Sequence, residues 1–421
     1  MVKSAKHKWT FTSRFRKQAF GWRGSSTAIQ RVKEAVAEIK AAARQDPLLG
    51  AEGAVLFLEK ISPALEQVDS SSGAIGTAVN NAIEALVPII VEAPADTKLR
   101  QKWLERLWKA IEEDDIPYIE LLPDHWGALC KSPDLASHWA DDLMTPVRIT
   151  WTADRRGSGY FKGTSACLSA LLAAGRNKEI LELLALAPYP FWHDRQWGVK
   201  ALMAMRKRDE ALRYAEDSRG LNQPDHVISG ACEEILLASG MAEEAYDKYA
   251  IEANQKTTYL ATFRAITKKY PHKEPGDILA DLVASSPGNE GKWFAAAKAA
   301  GLLREAITLV NQSSCDPRTL TRAARDMKDT EPRFAAEVGI AALRWLIAGY
   351  GYDITRLDVL DAYTFTLEAA VNDRCLPEIQ DRIRKMVADV TSSDQFAGKI
   401  IRDELDRAAC RGGRQHENHL L

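Results

Sequence analysis

"AAGRNKEILELLA" (Ala173–Ala185) decides the fold, because the chain writes the same pattern again. "AMRKRDEALRYAE" (Ala204–Glu216), "LASGMAEEAYDKYA" (Leu237–Ala250) and "KAAGLLREAITLVN" (Lys298–Asn311) align with it. Gly175, Arg206, Gly240 and Gly301 form the common origin, and four residues later an acid follows in every copy: Glu179, Glu210, Glu244 and Glu305. The next residue is Ile180, Ala211, Ala245 or Ala306. The origins lie 31, 34 and 61 residues apart; the last interval spans two periods, with "KKYPHKEPGDILADL" (Lys268–Leu282) as a degenerate copy. Each copy reads as an apolar helix, a tight turn and a second helix. That second helix opens with acid, which suits its positive end. The small residue after the acid lets the paired helices approach closely.

Over about residues 165–315 this pattern resembles the tetratricopeptide repeat, whose units run near 34 residues with glycine at the turn and alanine in the second helix. The first helices carry no regular tryptophan–leucine–glycine signature. The resemblance implies an all-α fold: an α-solenoid of helical hairpins, a tetratricopeptide-like superhelix. Five further helices follow, in "TRAARDM", "RFAAEVGIAALRWLIAGYG", "VLDAYTFTLEAAV", "LPEIQDRIRKMVADV" and "AGKIIRDELDRAA".

Upstream, "AIQRVKEAVAEIKAAAR" places Ile29, Val32, Val36 and Ile39 at helical steps. Further helices are expected in "AEGAVLFLEKI", bent or stopped near Pro63, and in "SSSGAIGTAVNNAIEALVPII", "TKLRQKWLERLWKAIEE" and "SPDLASHWADDLM". These form an N-terminal helical bundle-like region. The one run with strand alternation is "VRITW" (Val147–Trp151). The expected divisions are a basic aromatic arm (1–24), an N-terminal helical domain (25–145), a connector (146–163), the repeat domain (164–410) and a flexible tail (411–421).

"AFGWRGS" (Ala19–Ser25), "GAVLFLEKISPALEQVDSSSGAIGTAVN" (Gly53–Asn80), "CDPRTLTRAARD" (Cys315–Asp326) and "ALRWLIAGYGYDIT" (Ala342–Thr355) also resemble a bacterial family of uncharacterised helical-repeat proteins. That resemblance implies the helical fold and a bacterial cytosol, and brings no assigned reaction.

The composition separates an arm from a body. Hydrophobic residues make up 46% of the chain, enough for a packed interior. The net charge of −2 hides an asymmetry: residues 1–33 hold nine Lys or Arg and no acid, so the remainder is strongly acidic. In the arm Lys3, Lys6, Lys8, Arg14, Arg16, Lys17 and Arg23 alternate with Trp9, Phe11, Phe15, Phe20 and Trp22. Cations and stacking faces are what single-stranded nucleic acid takes. An acidic body, however, repels a polyanion and offers the aromatics a place to bury. The preferred reading is therefore an arm stapled to its own protein, with a protein partner, nucleic acid or a membrane surface as alternatives. "EEDD" (Glu112–Asp115) ends a helix where negative charge is unfavourable, so it reads as a solvated end or as the landing place of the arm.

The six cysteines are scattered, without a C-x-x-C pair, and read as buried small hydrophobes in a reducing compartment. No H-x-x-x-H pairing occurs, so no metal or other cofactor is expected. No signal-peptide pattern and no run of about 18 apolar residues is evident, which points to a cytoplasmic protein without a membrane span. "DSSSGAIG" (Asp69–Gly76) reads as a helix cap rather than a phosphate site. "RRGSGYFKGT" (Arg155–Thr164) departs from the phosphate-loop pattern because Lys162 precedes Gly163. In "WHDRQW" (Trp192–Trp197), His193 and Asp194 are adjacent on a helix start and point apart, so they make no acid–base pair by themselves. "RGGRQH" (Arg411–His416) is chance spacing.

The expected function is a non-enzymatic protein-interaction scaffold or adaptor with a protein or peptide partner. The candidate contact residues gather at the junction of the halves: Trp151, Arg155, Arg156, Tyr160, Phe191, Trp192, His193, Arg195 and Trp197. The alternatives are a nucleic-acid-associated protein that uses residues 1–24, or an enzyme with its site at that junction.

Overall fold

A computed structural model of the chain describes residues 7–152, 160–189, 191–220, 224–388 and 396–417. Those residues form 21 α-helices and four short 3-10 turns, with no strand among them. The protein is all-α. Lys3, Lys6, Arg155 and Arg156 lie outside the described residues.

The chain divides into two compact units, 1–240 and 241–421. In the first, α1 (Ser25–Gln45), α2 (Pro47–Leu65), α3 (Ala74–Glu92) and α4 (Thr97–Glu112) pack together. Helix α1 buries Ala28, Val32, Ala35 and Ile39, the three-to-four-residue steps legible in its sequence. Asp46 caps α2, its carboxylate accepting from the Leu48 and Leu49 N–H groups at 3.0 and 3.1 Å. Pro63 sits inside the last turn of α2 and leaves the helix intact as far as Leu65. Helix α3 is long and apolar enough to cross a membrane by length and composition, which the sequence reading did not anticipate because Asn80, Asn81 and Glu84 interrupt the apolar run. Here its Ile75, Val79, Ile83, Leu86 and Ile90 are buried in the core against α1 and α2. Arg100 of α4, only 4% exposed, donates to the Ala93, Leu129, Ile90 and Val91 carbonyls at 2.9 to 3.4 Å. It thereby closes the C-terminal end of α3.

The first unit continues through α5 (Trp126–Cys130), α6 (Pro133–Thr152), α7 (Thr164–Ala173), α8 (Asn177–Leu184), α9 (Trp192–Ala204), α10 (Arg208–Glu216) and α11 (Asp225–Ala238). Val147–Trp151, read above as a strand-like run, belongs to α6. Five residues are too few to separate a two-residue from a 3.6-residue period, and Val147 and Trp151 both bury on one helical face. From α7 onward each helix packs on the next, and α7 also packs on α9.

The second unit holds α12 (Ala242–Ala253), α13 (Tyr259–Lys269), α14 (Pro275–Ala284), α15 (Phe294–Ala299), α16 (Leu303–Gln312), α17 (Pro317–Met327), α18 (Pro332–Ile347), α19 (Arg356–Asn372), α20 (Leu376–Ala388) and α21 (Phe396–Glu417). Phe294 and Phe334 stack in parallel, 6.2 Å apart, between α15 and α18. Arg318 forks onto Asp358 at 2.8 and 2.9 Å, and Arg382 onto Glu337 at 2.6 and 2.9 Å. Asp358 also completes a capping box with Thr355 at the start of α19. The Arg318 guanidinium beside it holds its carboxyl well below the usual range. Helix α21 continues to Glu417, through Gly412 and Gly413.

The four aligned repeat origins all close a helix with a positive φ: +73° at Gly175, +62° at Arg206, +75° at Gly240 and +76° at Gly301. Glycine reaches this conformation freely, whereas arginine meets its own Cβ there. A Cβ added at Gly175 would touch nothing, so its cost is conformational alone. Gly175→Ala is expected to destabilise the protein by about 1 kcal/mol, and Arg206→Gly to stabilise it by up to about 1 kcal/mol. Urea unfolding of the two variants checks both signs; equal effects would mean that the two turns are not equivalent.

The N-terminal arm is part of the first core. Trp9, Phe11, Phe15 and Phe20 are buried, with Phe11 and Phe15 each meeting Phe57 of α2 edge-on at 5.7 and 5.1 Å. Trp9 lies flat over Gly53, where a Cβ would come within 2.3 Å of its ring. The Gln18 N–H donates to the Pro63 carbonyl at 2.8 Å. Arg14 pairs with Glu34 at 2.6 Å and Lys17 with Glu66 at 3.6 Å, so these cations land on α1 and the end of α2 and not on Glu112–Asp115. Lys8, Arg16, Trp22 and Arg23 face solvent. Truncating Phe15 to alanine empties a filled core position, and a loss of about 3–5 kcal/mol is expected in thermal or denaturant unfolding. A loss below about 1 kcal/mol would show the arm to be a surface attachment.

Candidate functional site

The first unit encloses a cavity of about 660 Å3 between the exit of α4, the turn before α5, the start of α7 and the start of α9. Its frame is Asp114, which is 5% exposed. One carboxylate oxygen accepts from the Ser62 hydroxyl and from the Tyr118 N–H at 3.3 Å, and the other accepts from the Ile119 N–H at 2.9 Å. Burial pushes the Asp114 carboxyl above its ordinary range, opposed by these three donors and by the charge of Lys162. The Lys162 ammonium donates to the Glu112 and Asp114 carbonyls at 3.0 and 2.7 Å. It thus supplies the positive charge that the end of α4 calls for. That is the physical answer to the acidic run at Glu112–Asp115: one acid is buried and fully bonded, and a lysine fifty residues away closes the helix.

Phe161 joins the cavity lining to a cluster of edge-on and tilted aromatic rings. Trp108 meets Trp126, Trp139 and Phe161 at 5.7, 6.0 and 6.3 Å, and Trp126 meets Trp139 at 5.0 Å. Gly163 fits only because it lacks a side chain: a Cβ there would lie 2.5 Å from the Phe161 ring and 2.7 Å from Trp108. Phe161 therefore fixes where α7 begins. Ser169, one helical turn on, accepts from the Gly127 N–H at 3.0 Å and donates to the Asp124 carbonyl at 2.9 Å. This holds the Asp124 turn against α7.

The result is a group of polar side chains from distant stretches. The Ser165 hydroxyl and His193 Nε2 share a hydrogen bond at 2.8 Å, and Asp124 Oδ1 lies 3.8 Å from the same nitrogen. A nucleophile relay needs the hydroxyl on one ring nitrogen and the carboxylate on the other. Here both approach Nε2, so the three do not form a triad. Asp124 Oδ1 is buried without a hydrogen-bond donor. Asp194 also lines the cavity, its carboxyl pushed up by burial and by the charge of Asp124, with His193 opposing. Among the described residues no three His, Cys, Asp or Glu side chains converge as metal ligands would. Cys130 and Cys167 are buried thiols whose pKa values burial pushes up to about 12, which makes them inert packing groups.

The sequence-derived junction set divides. Trp151, Tyr160, Phe191 and His193 all line the cavity: Trp151 is buried, while Tyr160 and Phe191 are 70% and 49% exposed at its rim. Trp192 and Trp197 are core residues. Arg195 turns away, donating to the Ser218 hydroxyl at 2.6 Å and lying 4.0 Å over the Tyr214 ring. Asp124, Ser165 and Tyr189 were not foreseen. Asp114 left a trace as an acid at the unfavourable end of a helix, and Phe161 and Lys162 belong to the Arg155–Thr164 run read above as unlike a phosphate loop. At Asp69–Gly76 the Asp69 carboxylate accepts from the Ser71 N–H at 3.0 Å, a turn that occupies the amide an anion would need.

No protein-family model matches the chain, and no curated protein matches it at a significant level.

The lysine bridge generates a direct expectation. Lys162→Met leaves two carbonyls at the end of α4 without their charged donor and should cost about 1–3 kcal/mol in urea unfolding, with helix content unchanged by circular dichroism. An unchanged midpoint would show that water serves those carbonyls equally well.

Proposed function

We propose that this chain is a non-catalytic binding protein made of tetratricopeptide-like helical hairpins, and that it receives a segment of a partner protein in the cavity of its first unit. The carrying observation is the rim: Tyr160, Tyr189 and Phe191 are 70%, 60% and 49% exposed around a cavity of about 660 Å3, floored by buried Trp151. Exposed aromatics over a formed pocket are the composition of binding hot spots. Repetition of one left-handed turn at Gly175, Arg206, Gly240 and Gly301 supports hairpins stacked in series, each burying its apolar face on its neighbour.

Two other readings weigh less. A hydrolytic site would need the Asp124 carboxylate at Nδ1 of His193 rather than at Nε2, and its nucleophile, Ser165, is buried. A nucleic-acid reading needs free stacking faces in the arm, and Trp9, Phe11, Phe15 and Phe20 are spent on the core.

Tyr160 and Phe191 are exposed, so their replacement leaves the fold alone. In affinity capture from the native cell with the full chain, the double variant Tyr160→Ala/Phe191→Ala should lower recovery of the specific partner by roughly 30-fold, the loss of one hot spot of about 2 kcal/mol. Recovery that is indifferent to this change, or that collapses with added salt instead, would overturn the proposal.

A further inference from the structure

We propose that the partner segment is anchored by an arginine, whose guanidinium enters the first-unit cavity and meets Asp124 and Asp194; this rests on the binding function proposed above. Charge bookkeeping of the lining leads there. The cavity carries four carboxylates, Asp114, Glu120, Asp124 and Asp194, against Lys162 and His193. Asp114 and Lys162 satisfy each other's neighbourhood, the acid through three donors and the base through two carbonyls. That leaves three carboxylates, Glu120, Asp124 and Asp194, against His193 alone in the lining, its Nε2 3.8 Å from Asp124 Oδ1. Lys200 also faces Asp124, yet its ammonium lies 4.0 Å over the Trp197 ring.

Asp124 supplies the more specific observation. Its Oδ1 is buried in the wall and has no donor. Its main chain is held by Ser169, so the carboxylate is presented in place rather than recruited. Asp124 also lines the cavity, and a carboxylate there takes a charged ligand N–H most strongly. Five aromatics share the wall with aliphatic side chains: Trp151, Tyr160, Phe161, Tyr189 and Phe191. Aromatic faces attract cations, and the planar guanidinium both stacks on a ring and forks onto a carboxylate. A lysine ammonium, strongly hydrated and without a plane, uses only part of this surface. The volume suits a side chain with a short stretch of its backbone.

The test uses the full chain and a random peptide library displayed on phage. Peptides whose binding is lost on Phe191→Ala are cavity ligands; their best member is resynthesised with arginine or with the neutral isostere citrulline, and affinities are measured by fluorescence anisotropy. The inference expects citrulline to weaken binding by about 30-fold or more, and Asp124→Asn in the protein to do the same while leaving the unfolding midpoint unchanged. Asp124→Asn keeps the shape of the side chain and touches no hydrogen bond of the fold. Cavity ligands that bind equally with citrulline, or equally to Asp124→Asn, would overturn the arginine anchor and leave the binding function standing. A library that yields no Phe191-dependent ligand would overturn both.

Discussion

One buried carboxylate organises the first unit's cavity. Asp114 gathers the Ser62 hydroxyl from α2 and the Tyr118 and Ile119 amides from the chain leaving α4. Its own carbonyl receives Lys162 from the approach to α7. An ionised acid in an apolar interior is tolerated only when its lone pairs are met, and here both oxygens are met. The same bonds that make its burial tolerable fix the relative positions of three stretches that the sequence separates by about fifty residues each. The cavity is therefore preformed: hydrogen bonds around Asp114 and, through Phe161, the tryptophan cluster hold its lining in place.

The arm solves a different problem with the same economy. A basic segment on an acidic body looks like a device for gripping polyanions, but its aromatic half is buried and part of its charge is spent on Glu34 and Glu66. Glu34 of α1 and Glu66 after α2 thus have their counter-charges within the chain. The cavity lining, in contrast, holds four carboxylates, Asp114, Glu120, Asp124 and Asp194, against Lys162 and His193.

Much of this was legible in the residues. Helical steps in α1 through α4 and the turn glycines of the repeats are local signals, and local physics decides them. The alignment placed Arg206 at the turn position, and the structure gives it the same left-handed conformation as the three glycines. Trp151, Tyr160, Phe191 and His193 were singled out as aromatics and a cation-forming residue gathered near the expected junction, and all four line the cavity. Ser165 and Asp124 were not, because each is an ordinary helix-end residue until α7, α9 and the turn before α5 are brought together. Val147–Trp151 was misread for the opposite reason: a short apolar alternation is consistent with either period, and packing against the core settles it as helix.

Hydrogen exchange over the full chain, with and without a Phe191-dependent arginine peptide, tests the central claim most directly. A preformed cavity that receives the ligand predicts slowed exchange confined to residues 114–124, 160–165 and 191–194, with the arm and α17 unchanged. Slowing at residues 8–24 or 316–325, with the cavity segments unaffected, would contradict it.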